Sequence, residues 1–194
     1  MNGTGTTAEQ RTPEEIQDMI SAAFSGDSAA FGTLVTMYQQ PVYSMCMRYL
    51  KGEDARDAAQ EVFIKAFVHR QRFSADKSVL PWLLTIAKNL CIDRIRKNRH
   101  EVPGIAEMSE PSSSAPNAEQ HAVSRQTLNL VEQEIRQLPD GQREALVLHH
   151  VEGLPYKEVS DVLGVPQGTV MTWLHRGRNT LMQALNRSEK RGKI

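Results

Sequence analysis

The sequence predicts an all-α protein made of two small helical domains joined by a flexible linker. Three observations predict it. Apolar residues recur at i, i+3, i+4 and i+7 spacing along most of the chain, and no segment alternates apolar and polar as a half-buried strand does. The helical stretches fall into two groups, residues 13–100 and 123–190. Between them, residues 101–122 hold Pro103-Gly104 and Pro111-Ser112-Ser113-Ser114-Ala115-Pro116 but no Lys or Arg, the composition of a flexible acidic linker.

The elements follow in order. Thr12-Pro13-Glu14-Glu15 opens the first helix: Thr12 caps, Pro13 suits the first turn and Glu15 completes a capping box. Ile16, Ile20, Ala23 and Phe24 form its apolar face. Gly26-Asp27 breaks the chain and starts a second helix, with Phe31, Leu34, Val35 and Tyr38 on one side. Pro41 is expected to begin a third, with Val42, Met45, Cys46, Tyr49 and Leu50 inward. Lys51-Gly52-Glu53 reads as a turn. The helix expected over 54–70 carries the most regular stripe: Ala55, Ala58, Ala59, Val62, Phe63, Ala66 and Phe67. A polar loop, 73–79, leads to a long helix from Pro81 to about Arg99. Beyond the linker, Leu128, Val131, Ile135 and Leu138 define another amphipathic helix, stopped by Pro139-Asp140-Gly141. Arg143–Val151 is expected to be helical, and Gly153 ends it.

Charge is dense but balanced, with 23 basic and 23 acidic residues among 194. The balance hides structure. Residues 1–100 carry 13 basic and 11 acidic residues, residues 101–122 carry none and 4, and residues 123–194 carry 10 and 8. An acidic connector therefore separates two mildly basic parts, and local clustering rather than total charge decides whether phosphate is bound. Cys46 and Cys91 lie among apolar neighbours in helical patterns. They read as buried reduced thiols, since two lone cysteines make neither a disulfide framework nor a zinc site. The N-terminus lacks a basic-then-apolar signal pattern, and the apolar stretch 79–87 is too short to span a bilayer. A cytoplasmic protein without membrane insertion is expected. Nothing suggests an enzyme or a cofactor: there is no phosphate-cradling glycine loop, metal-spaced His/Cys group or nucleophile motif. His149 and His150 would point about 100° apart on a helix and are poor co-ligands.

Residues 155–178 form a helix-turn-helix pattern. Val159, Val162 and Leu163 make the inner face of its first helix. Gly164 occupies a turn position that favours a residue without a β-carbon. Val165 plugs the corner, and Val170 and Leu174 anchor the second helix. Gln167, Met171, Thr172, His175, Arg176 and Asn179 are left outward, the kind of surface a recognition helix presents to a major groove. A hairpin that merely packs is the competing reading. The tail favours DNA: between Gln167 and Lys193 there are six basic residues against the single acid Glu189.

Several segments together resemble the sigma-70 family. Gly168-Thr169-Val170 through Leu174-His175-Arg176-Gly177-Arg178 is similar to its DNA-reading end, and Leu138-Pro139 with Arg143-Glu144-Ala145-Leu146 to the segment before it. Asp54-Ala55-Arg56-Asp57-Ala58-Ala59-Gln60-Glu61-Val62-Phe63-Ile64-Lys65-Ala66-Phe67 resembles the core-polymerase-binding helix. Residues 81–97, from Pro81-Trp82-Leu83-Leu84 to Asp93-Arg94-Ile95-Arg96-Lys97, resemble the promoter-melting helix. The two-domain layout is similar to the extracytoplasmic-function branch.

The resemblance implies a sigma factor: a non-enzymatic specificity subunit of bacterial RNA polymerase, signal-responsive and held in check by an anti-sigma factor. It implies a polymerase-binding and minus-ten domain over 13–100 and a minus-thirty-five domain over 123–190. Asp54, Asp57, Gln60, Glu61 and Lys65 would face the polymerase core. Phe73, Ser74, Asp76, Lys77, Trp82, Lys88, Asn89, Arg94, Arg96 and Lys97 would handle the minus-ten element, the loop forming a pocket for a flipped base. Gln167, Thr169, Met171, Thr172, His175, Arg176 and Arg178 would read the minus-thirty-five element. Three departures stand out: Met171 and Trp173 occupy positions often basic in the family, Pro166 replaces a frequent Ser cap, and Gly177 replaces Ala and is expected to weaken its helix slightly. A helix-turn-helix regulator working without polymerase is the alternative. It would have no need of the 54–67 motif.

Overall fold

The computed structural model describes residues 12–74, 77–101 and 131–190, except the side chains of 98–101 and 188–190. The described residues are helical, with no strand among them. The chain divides into two compact units, Met1–Pro111 and Ser112–Ile194. The expected linker lies outside the described residues.

In the first unit, α1 spans Pro13–Ser25, and its capping box forms as the sequence predicts: Thr12 Oγ1 accepts from the Glu15 amide, and Glu15 Oε2 accepts from the Thr12 amide. Gly26 closes it with φ of 109°, a conformation that disfavours a side chain. Asp27 then caps α2, Ser28–Met47, by accepting from the amides of Ala29 and Ala30. This helix does not break at Pro41, where a separate helix is expected from sequence. An internal proline removes one helical hydrogen bond and ordinarily costs about 3 kcal/mol. Here Phe31, Leu34, Val42, Met45 and Cys46 are buried on both sides of it. Burying such side chains contributes roughly 1.5–3 kcal/mol each, so one continuous helix wins.

α3, Gly52–Val68, begins in the expected turn and ends two residues short of Arg70. A short 3-10 turn, Arg70–Arg72, follows. Ala55, Ala58, Ala59, Val62, Phe63 and Ala66 are buried, and four of these six are alanines. Small residues let α3 lie close against its neighbours, while Phe31 of α2 meets Phe67 edge-on at 5.0 Å. α4, Val79–Glu101, starts two residues before Pro81, which then sits within its first turn. Leu83, Leu84, Ala87 and Cys91 are almost fully buried.

In the second unit, residues 131–137 form α5. Leu128 lies outside the described residues. α6, Asp140–His150, begins earlier than expected because the stop signal acts only up to Pro139. Asp140 suits the first turn electrostatically and pairs with Arg143. α7, Tyr156–Leu163, ends at Gly164 with φ of 69°. α8 runs from Gln167 to Lys190, a dozen residues past the motif. Val159, Val162, Val170, Leu174 and Leu148 are buried, so the inner face of the helix-turn-helix is the one expected. Ser160 Oγ donates to the Val165 carbonyl at 2.6 Å and pins the corner.

Candidate nucleic-acid and partner surfaces

The first surface is the outward side of α3. The alanine stripe faces the core, which leaves Asp54, Asp57 and Gln60 exposed and Glu61 and Lys65 half-buried. Two apolar residues extend this side: Ile64 is 64% exposed and Val68 62%. Asp57, Gln60, Ile64 and Val68 recur at helical spacing, so acidic and apolar groups form one strip. Sequence reasoning missed Ile64 and Val68, although they are the large apolar residues that fall off the 55–67 stripe.

Glu61 and Arg94, assigned from sequence to different partners, are joined. Arg94 Nη2 donates to Glu61 Oε2 at 2.6 Å, and Nη1 donates to the Asp54 carbonyl at 3.1 Å. Lys65 Nζ approaches Glu61 Oε1 at 3.4 Å. The bond from Arg94, more than the nearby Lys65, holds the Glu61 carboxyl below its usual range.

The second surface surrounds the loop before α4. Phe73 stacks on Phe24 of α1 with ring centres 4.0 Å apart and planes 20° apart. Trp82 lies 5.3 Å from Phe73 and 5.5 Å from Phe24. Both aromatics expected at the minus-ten element are thus packed into a three-ring cluster and are only half exposed. Ser74 and Lys77 are exposed, and Asp76 lies outside the described residues. Along α4, Asn89, Arg96 and Lys97 are exposed and Lys88 is half-buried.

Cys46 of α2 and Cys91 of α4 are fully buried. Interaction with the Cys91 thiol holds Cys46 below the ordinary thiol value, and the same interaction together with burial pushes Cys91 above it.

The third surface is α8. Gln167, Met171, Thr172, His175, Arg176 and Arg178 are exposed and Thr169 is half-buried. His175 Nε2 lies 3.0 Å from Asn179 Nδ2. Arg178 Nη2 donates to the Tyr156 hydroxyl at 3.3 Å, tying the reading helix to the start of α7. Trp173 does not belong to this surface. It is half-buried and packs against Gly141 of α6. Gly177 is likewise buried against Leu146 and is a close-approach residue rather than a weak point on an open helix. His149 meets His150 at 4.7 Å and Tyr156 at 4.8 Å. Burial first, then His149 and Arg178, holds His150 below the usual imidazole value. Among the described residues no group of three or more His, Cys, Asp or Glu could hold a metal, and no helix is long and apolar enough to cross a membrane.

Comparison with known proteins agrees with this layout. The family model for Sigma-70 region 2 matches residues 34–101, and that for Sigma-70 region 4 matches residues 128–181. The chain is 34% identical over 180 residues to the ECF RNA polymerase sigma factor SigW of Bacillus subtilis, covering 88% of this chain and 96% of that protein. It is 30% identical over 183 residues to the ECF RNA polymerase sigma-E factor of Escherichia coli K12, covering 90% and 94%. The solved structure of the sigma factor RpoE with the anti-sigma factor NepR from Bartonella quintana shares the fold, with a TM-score of 0.64 and 23% identity over 80% of this chain and 96% of that one. CnrH in complex with the cytosolic domain of CnrY does so at 0.61 and 23%, over 88% and 96%. On the length and order of these matches, the chain belongs to the extracytoplasmic-function branch of the sigma-70 family of RNA polymerase sigma factors.

Proposed function

We propose that this sigma factor docks on core RNA polymerase through the outward strip of α3, handles the minus-ten element with the exposed side of α4 and its preceding loop, and reads the minus-thirty-five element with α8. The observation that carries this reading is the α3 strip. Asp54, Asp57, Gln60, Ile64 and Val68 are all exposed on a helix whose other side is packed core. A regulator that works alone has no use for such a face, whereas large exposed apolar groups beside acids suit a protein partner. On α4, Asn89, Arg96 and Lys97 supply polar and cationic groups for single-stranded DNA. On α8, Gln167, Met171, Thr172, His175 and Arg176 supply the base-reading surface, and Arg178 with Thr169 steadies it or meets phosphate.

Residues 13–100 and 123–190 then act as two promoter-reading domains tethered through 101–122. Control by an anti-sigma factor belongs to the same reading. Its support is the kinship with sigma factors and the fold shared with one solved alongside an anti-sigma factor. The protein acts as a cytoplasmic binding subunit and not as an enzyme. Two measurements test the proposal. Asp57→Lys should abolish holoenzyme assembly while leaving the helical content and melting temperature unchanged; retained core binding would count against the α3 assignment. Sequencing transcript starts after overexpression should reveal a shared pair of elements near minus ten and minus thirty-five, and starts with no shared elements would count against the bipartite reading.

A further inference from the structure

Arg94 stands apart from the cations that follow it on α4. Arg96 and Lys97 are exposed, but only 29% of the Arg94 side chain is. Each of its terminal nitrogens donates to α3, one to the Glu61 carboxylate and one to the Asp54 carbonyl. Glu61 is equally committed, with one oxygen at Arg94 and the other at Lys65. The planar guanidinium fork can hold two acceptors in fixed directions, which an ammonium cannot. Asp54 and Glu61 are seven residues apart, or roughly 10 Å along a helix. A single side chain therefore clasps two turns of α3 from α4.

A DNA phosphate approaching Arg94 would meet a cation already paired with the Glu61 carboxylate, whose charge repels a second anion. Arg96 and Lys97 follow within one turn of Arg94, so their direction is set by how firmly that turn is held. We propose that Arg94 is a positioning residue: acting through Glu61 and the Asp54 carbonyl, it locks the basic end of α4 to the polymerase-facing helix and does not itself hold DNA. Glu61 accordingly serves the interior of the domain rather than the polymerase surface. The inference rests on the reading of α3 and α4 given above.

The test uses holoenzymes reconstituted with saturating sigma factor, carrying the wild-type chain, Arg94→Ala, Arg94→Lys, Glu61→Gln, the double variant Glu61→Gln/Arg94→Ala, or Arg96→Ala. Promoter opening is followed by permanganate reactivity, and promoter affinity is followed across a salt series. Glu61→Gln keeps size and shape, so the test survives if Arg94→Ala folds poorly.

Arg94→Ala and Glu61→Gln should each lower open-complex yield about five- to tenfold, as expected for loss of a partly buried charged hydrogen bond. The double variant should lose no more than the worse single one, because both changes break the same link. Arg94→Lys should not rescue. The slope of log affinity against log salt should stay at the wild-type value in the Arg94 variants, while Arg96→Ala makes it shallower by about 0.7–0.9, the value of one phosphate contact. A shallower slope for Arg94→Ala, full rescue by lysine, or losses that multiply in the double variant would each overturn the proposal. Absence of promoter-specific opening by the wild-type holoenzyme would overturn the underlying reading instead.

Discussion

Trp173 on α8 rests against Gly141 in the first turn of α6, so closely that a β-carbon on Gly141 would stand 2.6 Å from Cη2 of the indole. The same packing recurs at Gly177, where a β-carbon would stand 2.7 Å from Leu146 Cδ1. Alanine favours a helix over glycine by about 0.8–1.0 kcal/mol, yet overpacking costs about 1–3 kcal/mol. Gly141→Ala should therefore destabilise the second unit by about 1–2 kcal/mol in urea unfolding. Gly177→Ala should cost less, because a leucine methyl can turn aside and a rigid indole cannot. In a Trp173→Leu background the penalty of Gly141→Ala should largely vanish. Stabilisation by Gly141→Ala in the wild-type chain would contradict this packing.

Ile64 and Val68 separate binding from folding. Both are more than 60% exposed, so Ile64→Ser and Val68→Ser should change unfolding free energy by no more than about 0.5 kcal/mol. Affinity for core polymerase should fall about tenfold or more in the double variant, as for apolar anchors within an interface. Fluorescence titration of labelled sigma factor with core checks this. Equal affinity with unchanged stability would remove these two residues from the docking strip.

The Glu61–Arg94 link has a definite pH signature. A carboxyl held below its unfolded value contributes stability that is fully present above that value, about 4.3 for Glu, and is lost as pH falls through the folded value. Arg94 remains charged throughout. The stability difference between wild type and Arg94→Ala should therefore be constant from about pH 6 upward and shrink below about pH 4. Urea unfolding across that range measures it, and a difference independent of pH would show that the ion pair is not its source.

Cys46 and Cys91 are both fully buried. Thiol reagents should label neither residue in the native protein at a rate faster than unfolding, despite the lowered Cys46 value, because reactivity needs access as well as a thiolate. Labelling kinetics with and without denaturant decide this. Rapid native labelling would place at least one sulfur at the surface.

Local pattern carried much of this structure and long-range pairing carried little. The stripe of α3, the capping box at Thr12 and the left-handed turn at Gly164 were legible because each is written within a few residues. Pro41 misled because a proline reads as a helix start, whereas the buried residues on either side hold one helix together. Gly141 and Trp173 are 32 positions apart and Glu61 and Arg94 are 33, so no periodicity signals either contact. Phe73 and Trp82 were legible as aromatics near the minus-ten loop, but nothing local says that Phe24 already stacks on one of them.

Run-off transcription with purified core polymerase tests the central claim most directly. On a promoter identified from transcript starts, core plus this chain should give a discrete product that core alone does not. Asp57→Lys and Arg176→Ala should each reduce it, the first through loss of core binding and the second through weaker recognition of the minus-thirty-five element. No promoter-specific product from the wild-type chain, under conditions where a known sigma factor supports one, would contradict the account.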